Sequence, residues 1–485
     1  MKIEVGIYEK PKNKKKNYAR SADGWKIICE QDKVPFRLTD KPDCPVMVFD
    51  GDTPNWFAKY LKCGGLGIVT DCSPNLLPFD VDYVADASIE YADFTGLDGS
   101  LARVQCISKI FRGEGLGKIK IHENRIDKIG ITQDEFPVFI YHSYGQGGCW
   151  FTGMPLSGLL TVLGDTLRKS TSYSDYDERI VSVDKHAVTK AMRYILIKAF
   201  NMQGLPYIFL WYYPKNYQSV FAFRVDVDGV FGDNMANMST IAKKHDFPLT
   251  FFINKSLCQN DSDEILKIDE VHEIGNHADV HNLFTDYSSN YKNIDECQKW
   301  LDELGVNNGL WFAAPRGLWN FTLHQALDDL GFLYTSDFGC CIEGYPFFPY
   351  INGTRLRTLQ IPVNPFCVER ASAIKVEKKE EDISSEYVSD FFVDAIEQGY
   401  KKCYPIILYS HPEKFAGMAE VVFMKINQKL TELNIWKTTI TRFAEWWIHR
   451  DKYDYCAEFD TSTKKVTIIG VIDSEIQVKE LLIKQ

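Results

Sequence analysis

Several features that would have classified this chain at once are missing. There is no C-x-x-C spacing among its thirteen cysteines, so no zinc ribbon is written in them, and nothing marks an oxidising compartment. Reduced, mostly buried thiols are expected, including the adjacent pair Cys340 and Cys341. Positive charge is not in excess: 55 Lys and Arg face 66 Asp and Glu, a net of −11. Nonspecific attraction to nucleic acid or anionic lipid scales with cationic contacts, so neither is an expected partner. The cluster Lys10, Lys12, Lys14, Lys15 and Lys16 reads as a solvated loop. No uninterrupted apolar run of about 18 residues exists, and Met1 to Lys16 has no apolar core after a basic start. The expectation is a chain without signal peptide or membrane span, acting in the cytoplasm. No internal repeat of 20–50 residues is present.

What is there is ordinary in bulk: 485 residues, 45% hydrophobic and 25% charged, enough for two or three globular domains. In the first third, Cys44–Asp50 is an apolar run ending in an acidic turn. Trp56–Lys62 has helical character, and Gly64-Gly65-Leu66-Gly67 leads straight into a second buried strand. Pro137–His142 reads as a strand before a Gly-rich segment, and Val188–Phe200 as a helix. The first part loosely resembles the class I glutamine amidotransferase-like domains, including the trehalose-utilisation type. No G-x-C-x-G or G-x-S-x-G elbow surrounds Cys72 or Cys149, so it reads as non-catalytic. Gly113-Glu114-Gly115-Leu116-Gly117-Lys118 has neither the length nor the Ser/Thr of a P-loop.

Beyond a boundary near Leu205–Gln218 the pattern changes to strands with polar C-terminal ends. They are separated by helices at Asp233–His245, Asp263–Glu273, Asn290–Leu304, Thr322–Leu330 and Glu386–Tyr400. Repeated strand-then-helix favours a parallel, barrel-like sheet with its chemistry at the strands' C-terminal ends. Lys375–Glu386 reads as a solvated charge run, and the tail as two or three short strands around Tyr453–Glu458 and Lys465–Val471. The fold class is α/β throughout: a Rossmann-like or flavodoxin-like domain (1–212), a distorted (β/α) barrel (213–450) and a small β tail (451–485).

Chemistry-bearing residues gather in the barrel. In Phe221–Gly229 the side-chain period of two puts Arg224, Asp226 and Asp228 on one face and Phe223, Val225 and Val227 on the other. Burying those charges uncompensated costs several kcal/mol, so a metal or mutual pairing is expected. His277 and His281 are four apart, and in a helical turn their imidazoles share a face and can ligate one cation. No Glu follows as in H-E-x-x-H, which argues against a zincin protease. With Asp228 the set becomes Asp-His-His, leaving positions for water and a substrate oxygen. His411, at the end of the apolar Tyr404–Ser410 run and before Pro412, can protonate a leaving group near neutral pH.

The order of these segments resembles the polysaccharide deacetylase family, the NodB-homology carbohydrate esterases, over about residues 220–450. The family's T-F-D-D-G is matched by Val225-Asp226-Val227-Asp228-Gly229, and its A-T-F-F by Leu249-Thr250-Phe251-Phe252. G-H-E-I-x-x-H-x-x-x-H corresponds to the segment from Val271 to His281, and R-x-P-x-G to Ala313-Ala314-Pro315-Arg316-Gly317. G-F-x-Y-D-S-S is similar to the segment from Gly331 to Asp337, and L-x-x-H-P to Leu408-Tyr409-Ser410-His411-Pro412. The resemblance implies a NodB-type barrel that binds a divalent metal, most often zinc, and removes an N-acetyl group from an amino sugar of a glycan or its precursor. By position it makes Asp228, His277 and His281 metal ligands, Asp226 the base and His411 the acid. Val227 separates the two aspartates, which leaves open which of them binds metal. The family arginine is absent near Ala313, and Arg224 or Arg316 could restore its charge. Trp311, Trp319 and Tyr334 could stack on sugar rings. Two other readings are open: an allantoinase-like hydrolase of a cyclic amide, and a catalytically weak glycan-binding protein.

Overall fold

A computed structural model of the chain describes residues 1–9, 22–121, 135–161, 183–227, 229, 232–306, 309–341, 343–364, 366–369, 371–372, 383–470 and 473–482. The lysines at 10–16 and most of the 375–386 charge run lie outside them.

The first half is a Rossmann-like sheet. Val5–Tyr8 lies between Phe36–Thr39 and Val46–Asp50, and Leu66–Thr70 and Gly147–Phe151 continue it in parallel. Phe139–Tyr144 and Gly115–Leu116 close one edge in antiparallel fashion. Val46–Asp50 and Leu66–Thr70 are buried almost throughout, which is why they read as unbroken apolar runs. The glycines serve close approach: a Cβ on Gly65 would lie 2.3 Å from the Tyr60 ring, and one on Gly115 would lie 2.0 Å from Phe139 O. A long antiparallel excursion, Asp82–Asp93 with Leu101–Arg112 and Lys118–Ile121, was not expected from sequence.

The second half is the barrel. Its parallel strands run in the order Ile406–Ser410, Ser219–Val227, Leu249–Ile253, Glu273–Asn276, Trp311–Ala313, Tyr334–Ser336, Leu359–Ile361, and Ile435–Lys437 pairs with the start of Ser219–Val227. The two outer strands meet chiefly through Asn364, just beyond Leu359–Ile361. Asn364 N–H donates to Ile407 O (2.9 Å), and Ile407 N–H donates to the Asn364 side-chain Oδ1 (2.6 Å), so an amide side chain stands in for a missing ladder bond. The helices fall near their expected places, at Gly232–Lys244, Ser262–Asp269, Tyr287–Leu304, Phe321–Asp329 and Ser385–Lys401. Asp286, Asn320 and Ser384 cap three of them by accepting N–H bonds.

Strand Ser219–Val227 is buried along its whole length. Its outward Phe223 meets the rings of Phe247, Phe392, Phe415 and Phe423 at 5.3–5.9 Å. That apolar contact, roughly 2–3 kcal/mol per buried aromatic, forces the alternate residues Arg224 and Asp226 inward.

One core cluster runs from Ile3 and Trp25 through Tyr212 and Val220 to Trp447 and Ile476, so the two halves pack on common ground. The end of the chain joins in: Cys456–Asp460 and Lys465–Ile469 form a hairpin that bridges to Lys2, and Val478–Leu481 pairs with Tyr207–Leu210. All thirteen cysteines are reduced thiols, with Cys340 and Cys341 both buried. Among the described residues no helix is long and apolar enough to cross a membrane.

Candidate active site

Arg224 is fully buried and grips Asp226 with a planar fork: Nε donates to Oδ1 and Nη2 to Oδ2, both at 2.6 Å. Its Nη1 donates to the Ser336 main-chain oxygen and to Ser336 Oγ, and the guanidinium lies 5.7 Å from the Phe252 ring and 5.6 Å from the Tyr409 ring. Burial alone pushes the Asp226 carboxyl up, but Arg224, joined by His277 and His411, outweighs it and holds the group below the usual carboxylate range. Of the two arginines that could restore the missing charge, Arg224 is the one bonded to Asp226. Arg316 is exposed, with φ at +58°.

His277 and His281 come together, though not on a helix: they follow strand Glu273–Asn276 on a segment without regular structure. That corrects the helical-turn expectation. Their ring centroids are still only 5.2 Å apart. His277 is buried, and its Nδ1 lies 2.8 Å from Ala313 O. Donation to that carbonyl fixes the tautomer and leaves the lone pair on Nε2. Burial pushes its imidazole down to about 3 against the pull of Asp226, and His281 and Arg224 add to the drop. The ring is therefore neutral at neutral pH, the form that ligates metals. Two close imidazoles, one with its tautomer set by a carbonyl, fit a divalent cation of zinc type. Asp228 lies outside the described residues.

His411 follows strand Ile406–Ser410, and its Nδ1 is 3.2 Å from Glu369 Oε1. Burial raises the Glu369 carboxyl, but the hydrogen bond and charge of His411 bring it below its ordinary value. Sequence reading missed Glu369. Its only signal was a lone acid after the apolar Phe366-Cys367-Val368. Glu413 joins them, with one ligand atom from each residue within 4.8 Å of the others.

The aromatic trio does not face this site. Trp319 and Tyr334 are fully buried, bonded to His324 Nδ1 (2.9 Å) and Thr441 Oγ1 (3.1 Å), and half-buried Trp311 donates to Ile274 O (2.8 Å). Trp311 and Tyr334 open their strands, whereas the histidines follow strand ends, so these two rings belong to the opposite mouth. The sugar-stacking expectation is corrected on that ground.

Residues 224–335 match the family model described as Polysaccharide deacetylase. No curated protein matches the chain. Solved structures that resemble it include a Mycobacterium smegmatis protein assigned as a polysaccharide deacetylase, at 15% identity over 49% of this chain and 93% of that one, TM-score 0.42. An allantoinase, PuuE, is 16% identical over 50% of this chain and 94% of that one, TM-score 0.41. A CE4 family pseudoenzyme from Bacillus anthracis is 15% identical over 48% and 66%, TM-score 0.33. The family match covers none of residues 1–223 and lends the amidotransferase-like resemblance no support. The chain thus carries a polysaccharide deacetylase-like segment at 224–335.

Proposed function

We propose that the chain is a metal-dependent hydrolase that removes N-acetyl groups from an amino sugar in a glycan or glycan precursor, with 213–450 as its catalytic unit and 1–212 as a non-catalytic partner. One observation carries this reading: the Asp226 carboxylate lies within electrostatic reach of Arg224, His277 and His411, groups from three separate strands or strand ends.

His277, His281 and Asp228 would hold a divalent ion, which when bound supplies Lewis-acid polarisation of the acetamide carbonyl and acidifies a water. Asp226, ionised at neutral pH, takes the proton of the attacking water while the Arg224 fork keeps its carboxylate oriented. Pro315 has no N–H and the Gly317 N–H is given to Ala314 O (2.9 Å), so the Arg316 N–H is the donor this turn offers to the oxyanion. His411, paired with Glu369, delivers a proton to the departing amine.

The absent arginine near Ala313 and the separated aspartates made a catalytically weak glycan binder conceivable, and the Arg224–Asp226 pair weighs against the first of these grounds. The deciding experiment is acetate release from N-acetylated sugars, with metal content measured alongside. His411→Ala should lower turnover by roughly 10²–10⁴ with metal retained. Glycan binding without acetate, or turnover only on a cyclic amide, would reject the reading.

A further inference from the structure

His277 and His281 stand on a stretch with no ladder of its own, between a strand that ends at Asn276 and a helix that starts at Tyr287. Within it Ala278 holds φ at +68°, a left-handed conformation that costs a residue with a Cβ. Main-chain bonds hold part of this stretch, His277 N–H to Ile253 O (2.9 Å) and Asp279 N–H to Asn293 O (2.9 Å) among them, and three asparagine side chains add to these. Asn254, fully buried at the end of the neighbouring strand, donates Nδ2 to His277 O (3.0 Å) and Ala278 O (2.9 Å). Its Oδ1 accepts from Leu257 N (3.3 Å) and Ser256 Oγ (3.0 Å). Asn293, on helix Tyr287–Leu304, donates to Val280 O (3.1 Å) and Asn282 O (3.1 Å), and its Oδ1 accepts from Val280 N (2.7 Å). Asn276 Oδ1 accepts from Ala278 N (2.8 Å).

An amide is the one neutral side chain that both donates twice and accepts, which suits a segment whose N–H and C=O groups are not all met by a regular ladder. Asp could only accept, and Leu could do neither.

We propose that Asn254 and Asn293 are positioning residues that set the spacing of the His277 and His281 imidazoles for a shared divalent cation. This rests on the reading of those histidines as metal ligands. Outer partners of metal ligands typically govern 10–100-fold in affinity.

The test uses the full chain stripped of metal. Zn²⁺ affinity is measured by competition with a chromophoric chelator, next to the thermal midpoint of the metal-free protein, in Asn293→Asp and Asn254→Asp. Each change keeps the size and the acceptor but loses the donors. Zn²⁺ affinity should weaken 10–100-fold in both, with acetate release recovered at saturating zinc. If Asn293→Asp does not fold, Asn293→Ser is read the same way. A lower midpoint with unchanged Zn²⁺ affinity would show that the amides serve the fold alone and would overturn the inference. A parent chain that binds no Zn²⁺ would overturn the metal reading itself, and this inference with it.

Discussion

Arg224 is fully buried and Asp226 nearly so, a setting in which each charge depends on the other. Removing one member of such a buried pair strands its partner and costs about 3–5 kcal/mol, so Arg224→Gln should lower the midpoint of denaturant unfolding markedly. Arg224→Lys keeps the charge but cannot present a fork. We expect it to fold and to lose most of its acetate release, measured at saturating zinc. Asp337 behaves in the opposite sense. Burial pushes its carboxyl up to about 7, against hydrogen bonds from Thr335, Cys340 N–H and Gln360 and the charge of Arg224. An acid whose folded value exceeds its unfolded one binds more protons when folded, so the folded state loses stability as pH rises between about 4 and that value. Asp337→Asn should flatten the stability profile across this window. An unchanged slope in urea unfolding between those limits would reject the assignment. That Arg224, and not Arg316, pairs with Asp226 was legible in the sequence only as one of two options. Two arginines with equal charge differ in which face their backbone presents, and only the packing of Phe223 fixes that.

At the scale of elements, the barrel helices were legible because apolar spacing and capping residues agree locally. Asp286→Ala and Asn320→Ala should each cost roughly 1 kcal/mol, read as a lowered thermal midpoint, because each removes an acceptor from a first-turn N–H. The H-x-x-x-H spacing misled, since four residues apart also suits a bent loop held from outside, and Asn254 and Asn293, which help hold this one, are distant in sequence. The excursion Asp82–Arg112 escaped notice for a related reason. Its strands carry charged and small residues on half-exposed faces, so no alternation rises above the background. The parallel, strand-then-helix character of the barrel, by contrast, was legible in the repeated alternation of apolar runs and helical segments.

Across the whole molecule, a buried charge inside the first half, which no local pattern announces, underlies a contact between the halves. Asp32, fully buried, accepts from Arg193 Nε at 2.7 and 3.0 Å, from Tyr207 Oη at 2.5 Å and from Tyr212 Oη at 2.9 Å. Tyr212 then stacks on Tyr345 with ring centroids 3.7 Å apart. Asp32→Ala leaves Arg193 buried without its partner, a loss on the order of 3–5 kcal/mol. With the core shared, fluorescence and activity should be lost in one coincident transition at a lower denaturant concentration. Two separated transitions would show that the halves unfold independently. The pairing of Val478–Leu481 with Tyr207–Leu210 also has a consequence during synthesis. A ribosome adding about 5–20 residues per second leaves the Tyr207–Leu210 edge waiting for tens of seconds before its mate emerges. Nascent chains halted in that interval display an open hydrogen-bonding margin of the kind that recruits other polypeptides.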